Sequence, residues 1–418
     1  MDRISELSDE LLVKMLLVPT KVALSTSILS KRWEYLWMWL PKLKYEFRGY
    51  PEPEGKMLLR FLDRNLPLHR APVIERFRLD FRYSPRLKPE SISMWVSTAL
   101  SHCLRELDIS RDSCPAEPNI FPSNLYTCIS LVILKLEGGF LLDVPGMVSL
   151  PSLKTLKLQG VRYFDDEALQ RLLSNCPVLE VLVVVLSNGD TTGKLTVVVP
   201  SLLSLSLYLS DYLKIDGYVI DTPSLKYFKL DHHTPYDNYC LIEKMPHLIE
   251  AAIDVNLPDM KSLTESITSV KHLTICSKTM LDKGCVFSQL EHLEVCLCRE
   301  HSSNQLVRLL KSSSNLQELH LFFTSFHCIG NMGYWNQPTT VPECLLSSLQ
   351  RLRWSKYTGD PQERDLVVYI LKNALHLKTA TIEPYELDVP KFEMLKELEL
   401  SSRASAVCQL MFECTSED

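Results

Sequence analysis

Thirteen times after residue 100 the chain repeats one pattern: an apolar residue, two variable residues, an apolar residue, one variable residue, a third apolar residue. The first copy is Leu104-Arg105-Glu106-Leu107-Asp108-Ile109. Clear copies begin at Leu131, Leu153, Leu179, Leu202, Leu225, Val270, Leu290, Leu316 and Leu395, and looser ones at Leu248, Leu349 and Leu377. A further copy, at Ile74, precedes them all. From Leu104 onward, successive starts lie 18 to 33 residues apart. The fourth and sixth residues of each copy share one face of a strand, because strand side chains alternate. The rest of each period is enough for a turn and a return segment. One such unit cannot bury its own apolar edge, whereas stacked units share a continuous core. The spacing therefore predicts a solenoid built around one long parallel sheet.

Strand repeats of this length are those of a leucine-rich repeat, an α/β architecture with a curved parallel sheet. Such a surface is expected to hold another macromolecule rather than to do chemistry. A composition of 46% hydrophobic residues is ample for the core. The formal net charge of −6 argues against a nucleic-acid partner, which calls for a basic face. No apolar run follows Met1-Asp2-Arg3, and none reaches 18 residues, so neither a secretory signal nor a membrane span is expected. Thirteen cysteines are scattered without a CxxC pair. They predict reduced, mostly buried thiols in a cytoplasmic and/or nuclear protein, not a zinc site or disulfide frame. There is no phosphate-binding glycine loop and no GxSxG elbow, so no catalytic residue, metal or cofactor is expected. His232-His233 lies between repeats and reads as part of a solvated loop.

Residues 1–47 carry no repeat and read as three short helices. Ser8 is an N-cap, with Asp9 and Glu10 in the first turn. Leu11, Leu12, Met15 and Leu16 follow as a stripe of helical period, ended by Val18-Pro19. Thr20 caps a second helix through Ser27. A third begins near Ser30 and carries Trp33, Leu36, Trp37 and Leu40 up to Pro41. So small a module presents more apolar surface than it can bury. Its sequence, above all Leu29-Ser30-Lys31-Arg32-Trp33, resembles the F-box of plant F-box proteins with leucine-rich repeats. The resemblance implies docking onto a Skp-type adaptor and, through it, a cullin–RING ubiquitin ligase. The adaptor-binding residues would be Ile4, Leu7, Leu11, Leu12, Met15, Pro19, Leu29 and Trp33. Two departures are present: Ser8 stands where the family usually has proline, and one residue fewer precedes Pro19-Thr20-Lys21.

A second resemblance lies near the other end. Trp335-Asn336-Gln337-Pro338, Val341-Pro342-Glu343-Cys344-Leu345, Trp354, Tyr357, Gly359 and Tyr369-Ile370-Leu371-Lys372-Asn373-Ala374 are similar to the FBD domain, found after the repeats in many plant F-box proteins. The segment reads as a strand from Leu349, a helix from Glu363 to Leu375 and a strand from Leu377, a repeat-like cap closing the solenoid. The expected domains are an F-box at 1–47, leucine-rich repeats at 48–334 and an FBD domain at 335–414.

The variable residues of each copy point to the opposite, concave face. Val181, Val183 and Val185, with Tyr208 and Tyr227 on the next two strands, make an apolar cluster there. Lys229, Asp231 and Glu250 are its rim. Apolar clusters with polar rims mark interaction sites, and tyrosine is a frequent hot-spot residue. Val181, Val183, Val185, Tyr208, Tyr227 and Lys229 are thus the expected target-binding residues. The plainer alternative is β-forming valines covered by the loop 187–193. His272, His292 and His320 share this face, in reach of one another for stacking. The reading that unites both ends is a non-catalytic substrate-recognition subunit of an SCF-type (Skp–cullin–F-box) ubiquitin ligase. The alternative is a scaffold or decoy whose altered F-box no longer docks. A small-molecule receptor is weaker, because the face carries only scattered cations, Lys135, Lys157 and Lys229.

Overall fold

The computed structural model describes residues 7–18, 20–47, 52–82, 88–111, 119–187, 193–211, 213, 215–233, 239–257, 260–276, 279, 281, 284–297, 302–323, 333–385 and 396–413. The chain divides into two compact units, Met1–Tyr208 with Leu213–Ile215, and Leu209–Tyr212 with Asp216–Asp418.

In the first unit the repeat copies become the strands Arg76–Asp80, Glu106–Ser110, Ile133–Glu137, Thr155–Gln159 and Val181–Leu186, paired in parallel and in chain order. Ser204–Leu209 is the next strand. Leu107, Leu134, Leu156 and Leu182 are register neighbours, as are Ile109, Leu136, Leu158 and Val184, and all are at most 1% exposed. Helices Pro89–Leu100 and Ala168–Ser174 lie among the return segments. The second unit builds its own parallel ladder from Tyr227–His232, Glu250–Val255, His272–Cys276, His292–Cys296, Glu318–Phe322, Arg351–Tyr357, Thr379–Pro384 and Gln409–Phe412. The copies at Leu131, Leu153, Leu179 and Leu202 are thus successive strands of the first unit, and the copy at Leu225 supplies the first strand of the second unit's ladder. Cys276 and Cys296 are buried side by side against Phe322.

A serine recurs at the joint between copies. Ser130, Ser201 and Ser348 each stand immediately before the first leucine of a copy. Their hydroxyls donate to the carbonyls of Leu104, Leu179 and Leu316, the first leucines of the preceding copies, at 2.9, 2.8 and 2.8 Å. These bonds satisfy buried carbonyls at the edge of each strand.

Three of the expected elements differ in the structure. The expected third helix is a set of turns over 31–35 followed by a 3-10 helix, Leu36–Trp39. Pro41 has no N–H to offer the Trp37 carbonyl, which takes the Leu40 N–H instead at 3.2 Å. Thr20 does not act as a cap: its buried hydroxyl accepts the Lys44 N–H at 2.8 Å, tying the second helix, Thr20–Ser25, to the strand Lys42–Glu46. That strand carries no repeat, yet it pairs in parallel with Arg76–Asp80. Finally, the copy at Leu395 is not a strand. Leu395 lies outside the described residues, and residues 396–399 are helical. The ladder's last strand is Gln409–Phe412, and its side chains stay exposed or half-buried. The start at Leu395 follows Leu377 by only 18 residues, the shortest gap in the series, and Lys396-Glu397-Leu398-Glu399 has no β-branched residue to oppose a helix.

Within 335–385 the expected strand, helix and strand are present as Arg351–Tyr357, Pro361–Asn373 and Thr379–Pro384. Asp360 caps the helix, its side chain accepting the Gln362 N–H at 2.8 Å, and Pro361 opens it. Glu363, 1% exposed, accepts the Thr358 N–H and hydroxyl at 2.8 and 2.9 Å. Burial pushes its carboxyl up to about 7 against those bonds. A carboxyl that titrates higher in the folded chain contributes stability that is full below its unfolded value, about 4.3, and lost as pH rises through about 7. Glu363→Gln should therefore leave thermal stability nearly unchanged near pH 4 and raise it above wild type near pH 8, by up to roughly 3 kcal/mol. Melting curves across that range would show it; equal curves at both ends would contradict it.

Candidate functional site

The N-terminal module is built on one short helix, Asp9–Met15, which Ser8 caps by accepting the Leu11 N–H at 3.4 Å. Arg32, from the motif Leu29-Ser30-Lys31-Arg32-Trp33, clamps the start of that helix. It donates to Asp9 Oδ1 at 2.6 and 2.8 Å and to the Leu7 carbonyl. Leu12, Leu16, Trp33, Leu36 and Trp37 form the module's own core, and Trp37 packs on Phe61 with ring centroids 5.8 Å apart. Of the residues implied to touch an adaptor, Leu12 and Trp33 are therefore internal: they hold the surface up from beneath. Leu11, Met15 and Leu29 are exposed, Leu29 by 64%, and Leu7 is half-buried. Ile4 and Pro19 lie outside the described residues. Leu17, Val18, Val22, Ile28, Tyr35 and Trp39 are exposed as well, Ile28 by 88%. The sequence reading missed these, although the signal was present: more apolar side chains than a 40-residue module can hide. Trp33→Ala should cost roughly 3–5 kcal/mol, as removal of a buried ring does. Leu29→Ala should leave the melting temperature close to wild type, and equal losses would contradict this division.

On the face of the sheet opposite the leucines, the first unit changes character along the ladder. Its early strands carry a charged lattice. Glu106 takes both Arg76 (2.7 and 2.8 Å) and Lys135 (2.9 Å), while Arg82 bridges Asp80 and Glu137. Burial opposes ionisation of Glu106, but the two cations hold its carboxyl below the usual range. Thr155, Lys157 and Gln159 follow, and their register partners are Val181, Val183 and Val185. The three valines are half-buried outward side chains, in contrast to fully buried Leu182 and Val184 between them. Tyr208 occupies the outward slot of its strand and is half-buried too. Residues 188–192 of the loop proposed to cover the valines lie outside the described residues. In the second unit, Tyr227, Lys229 and Asp231 are half-buried on the outward face of their strand, and Glu250 is exposed on the next.

Histidines mark the middle of the second unit's outward face. His272 and His292 are register partners and stack, ring centroids 4.3 Å apart and 4° from parallel. His320 is not part of that stack. It is the fifth residue of its copy rather than the third, so its register partner is Glu294. It contacts Glu294 Oε1 at 3.5 Å and Ser355 Oγ at 2.9 Å. The His320 hydrogen bond holds the Glu294 carboxyl below its usual range despite burial. His292 Nδ1 is 3.0 Å from Glu318, which Arg351 also engages at 2.7 Å. His232-His233 is not a solvated loop. His232 ends the strand Tyr227–His232, is fully buried, bonds Tyr218 through Nδ1, and burial lowers its pKa to about 4. The alternation of Phe228, Leu230 and His232 places its side chain among the leucines. His233 therefore falls on the outward side, 2.7 Å from Asp254.

Two family models match stretches of the chain, and full-length relatives span it. A family model described as FBD matches residues 337–382, over the strand, helix and strand described above. A second, described as FBD-associated F-box protein At5g56370, LRR repeats, matches residues 92–248. The Arabidopsis thaliana FBD-associated F-box protein At4g10400 is 58% identical over 414 residues, 99% of this chain and 100% of that protein. FBD-associated F-box protein At5g38590 of the same plant is 51% identical, covering 98% of this chain and 100% of its own length. The Arabidopsis putative F-box/FBD/LRR-repeat protein At5g62970 is 45% identical, covering 99% and 100%. No helix among the described residues is long and apolar enough to cross a membrane.

Proposed function

This chain belongs to the plant F-box/FBD/LRR-repeat family, and on that premise we propose that it is the non-catalytic target-recognition subunit of an SCF-type ubiquitin ligase. The observation that carries the reading is the set of exposed apolar side chains between Leu11 and Trp39, on a module that buries Leu12, Leu16, Trp33, Leu36 and Trp37 as its own core. A Skp-type adaptor docks there, over Leu7, Leu11, Met15, Ile28 and Leu29. The repeats hold the target, and the chain raises the effective concentration of target lysines near the transferring enzyme. In this reading the domains are the F-box at 1–47, the repeats at 48–334 and the FBD domain at 335–414. The decoy alternative rests on the missing proline at position 8 and on the one residue fewer before Pro19. The Ser8 cap and the Arg32–Asp9 clamp favour docking, because they form the first helix without that proline.

The test uses the purified full chain and a Skp-type adaptor. Met15→Asp with Leu29→Asp should weaken binding at least ~10-fold, since each charge must be desolvated against an apolar partner, while the melting temperature stays near wild type. Unchanged binding would overturn the docking face, and a wild-type chain that binds no adaptor would leave the decoy reading. For the target we propose the outward valines of the first unit, Val181, Val183 and Val185, with Tyr208; Tyr227 and Lys229 are the corresponding choice in the second. Val183→Asp should abolish target capture and leave stability near wild type. Buried Leu205→Ala should cost about 2–5 kcal/mol. If both variants melt equally early, the valines belong to the core.

A further inference from the structure

Three side chains at the start of the second unit form a group that neither the repeat pattern nor adaptor docking explains. Asp231 and His233 are two residues apart at the end of the strand Tyr227–His232, so they fall on the same outward side. Asp254, on the next strand, is the register partner of Asp231. One carboxylate oxygen from each aspartate and one ring nitrogen of His233 lie within 4.8 Å of one another. His233 Nε2 and Asp254 Oδ1 are 2.7 Å apart, with side chains only 11% and 23% exposed. Both of these atoms are sealed from solvent.

We propose that Asp231, His233 and Asp254 bind a divalent transition-metal ion of the zinc type. The three donor atoms converge from one face of two paired strands. Zinc takes imidazole nitrogen and carboxylate oxygen at about 2.0–2.2 Å, so tetrahedral ligands around it stand roughly 3.3 Å apart, and small side-chain rotations from the present spacing bring the three donors onto one ion. One nitrogen and two oxygens select a borderline ion over calcium or magnesium, which prefer oxygen alone. Three protein ligands leave a further coordination position for water or for a group on a bound protein.

Metal-stripped full-length chain, titrated with cobalt(II) and followed optically, then competed with zinc, tests the site. The expected result is one saturable equivalent with the weak visible bands of nitrogen and oxygen ligands and no thiolate-to-metal band. Asp231→Asn, Asp254→Asn and His233→Gln should each lower affinity at least ~10-fold. Zinc should raise the melting temperature of the wild type, a readout that survives if one variant fails to fold; circular dichroism of the metal-free variants identifies such a failure. Absence of saturable binding overturns the proposal. So does a thiolate band, which would move the ion to cysteines, and so does affinity that persists in all three ligand variants.

Discussion

Leu107, Leu134, Leu156 and Leu182 occupy equivalent positions on successive strands, and each is dry only because its neighbours are there. A leucine so buried is worth about 1.5–3 kcal/mol over an exposed one, a gain that a lone repeat cannot collect. From this mutual shielding follow the parallel order, the strict alternation of buried and outward side chains, and the freedom of the outward face to vary. The first copy needs a neighbour on its outer side, and Lys42–Glu46 supplies it by placing Leu43 and Tyr45 in the core. The Thr20–Lys44 bond then couples the N-terminal module to the ladder, so the module has a fixed base.

The two faces of the chain thus do different work. Inward rows are nearly uniform and carry stability. Outward rows run from a charged lattice at Arg76, Glu106 and Lys135 to valines at 181–185, and within the second unit through stacked histidines to Arg351 and Arg353. Variation on a rigid base is what a recognition surface requires. At the N-terminus the economy is reversed: a small core of Leu12, Leu16, Trp33, Leu36 and Trp37 leaves Leu11, Met15, Ile28 and Leu29 exposed.

Most of the ladder was legible because its signal is periodic and redundant. Even the looser copies at Leu248, Leu349 and Leu377 became strands, since spacing and alternation agreed. Leu395 shows the limit. A six-residue match with the wrong spacing and helix-forming residues was not a strand, and the true last strand, Gln409–Phe412, has no leucine triplet to announce it. The pairing of His233 with Asp254 escaped notice because contact between strands depends on register, which a pattern of leucines implies but does not display. His320 could have been separated from His272 and His292 in advance, by counting its place within the copy. Which F-box residues are core and which are surface was not legible, because a short module gives too little periodicity to distinguish a buried stripe from a docking stripe.

Hydrogen–deuterium exchange on the full chain, with and without a Skp-type adaptor, examines the division of labour most directly. The account predicts that the adaptor slows exchange in peptides covering residues 11–39 and leaves the strands from Glu106–Ser110 to Val181–Leu186 unchanged. Protection that falls on those strands, or no protection at all, would contradict it.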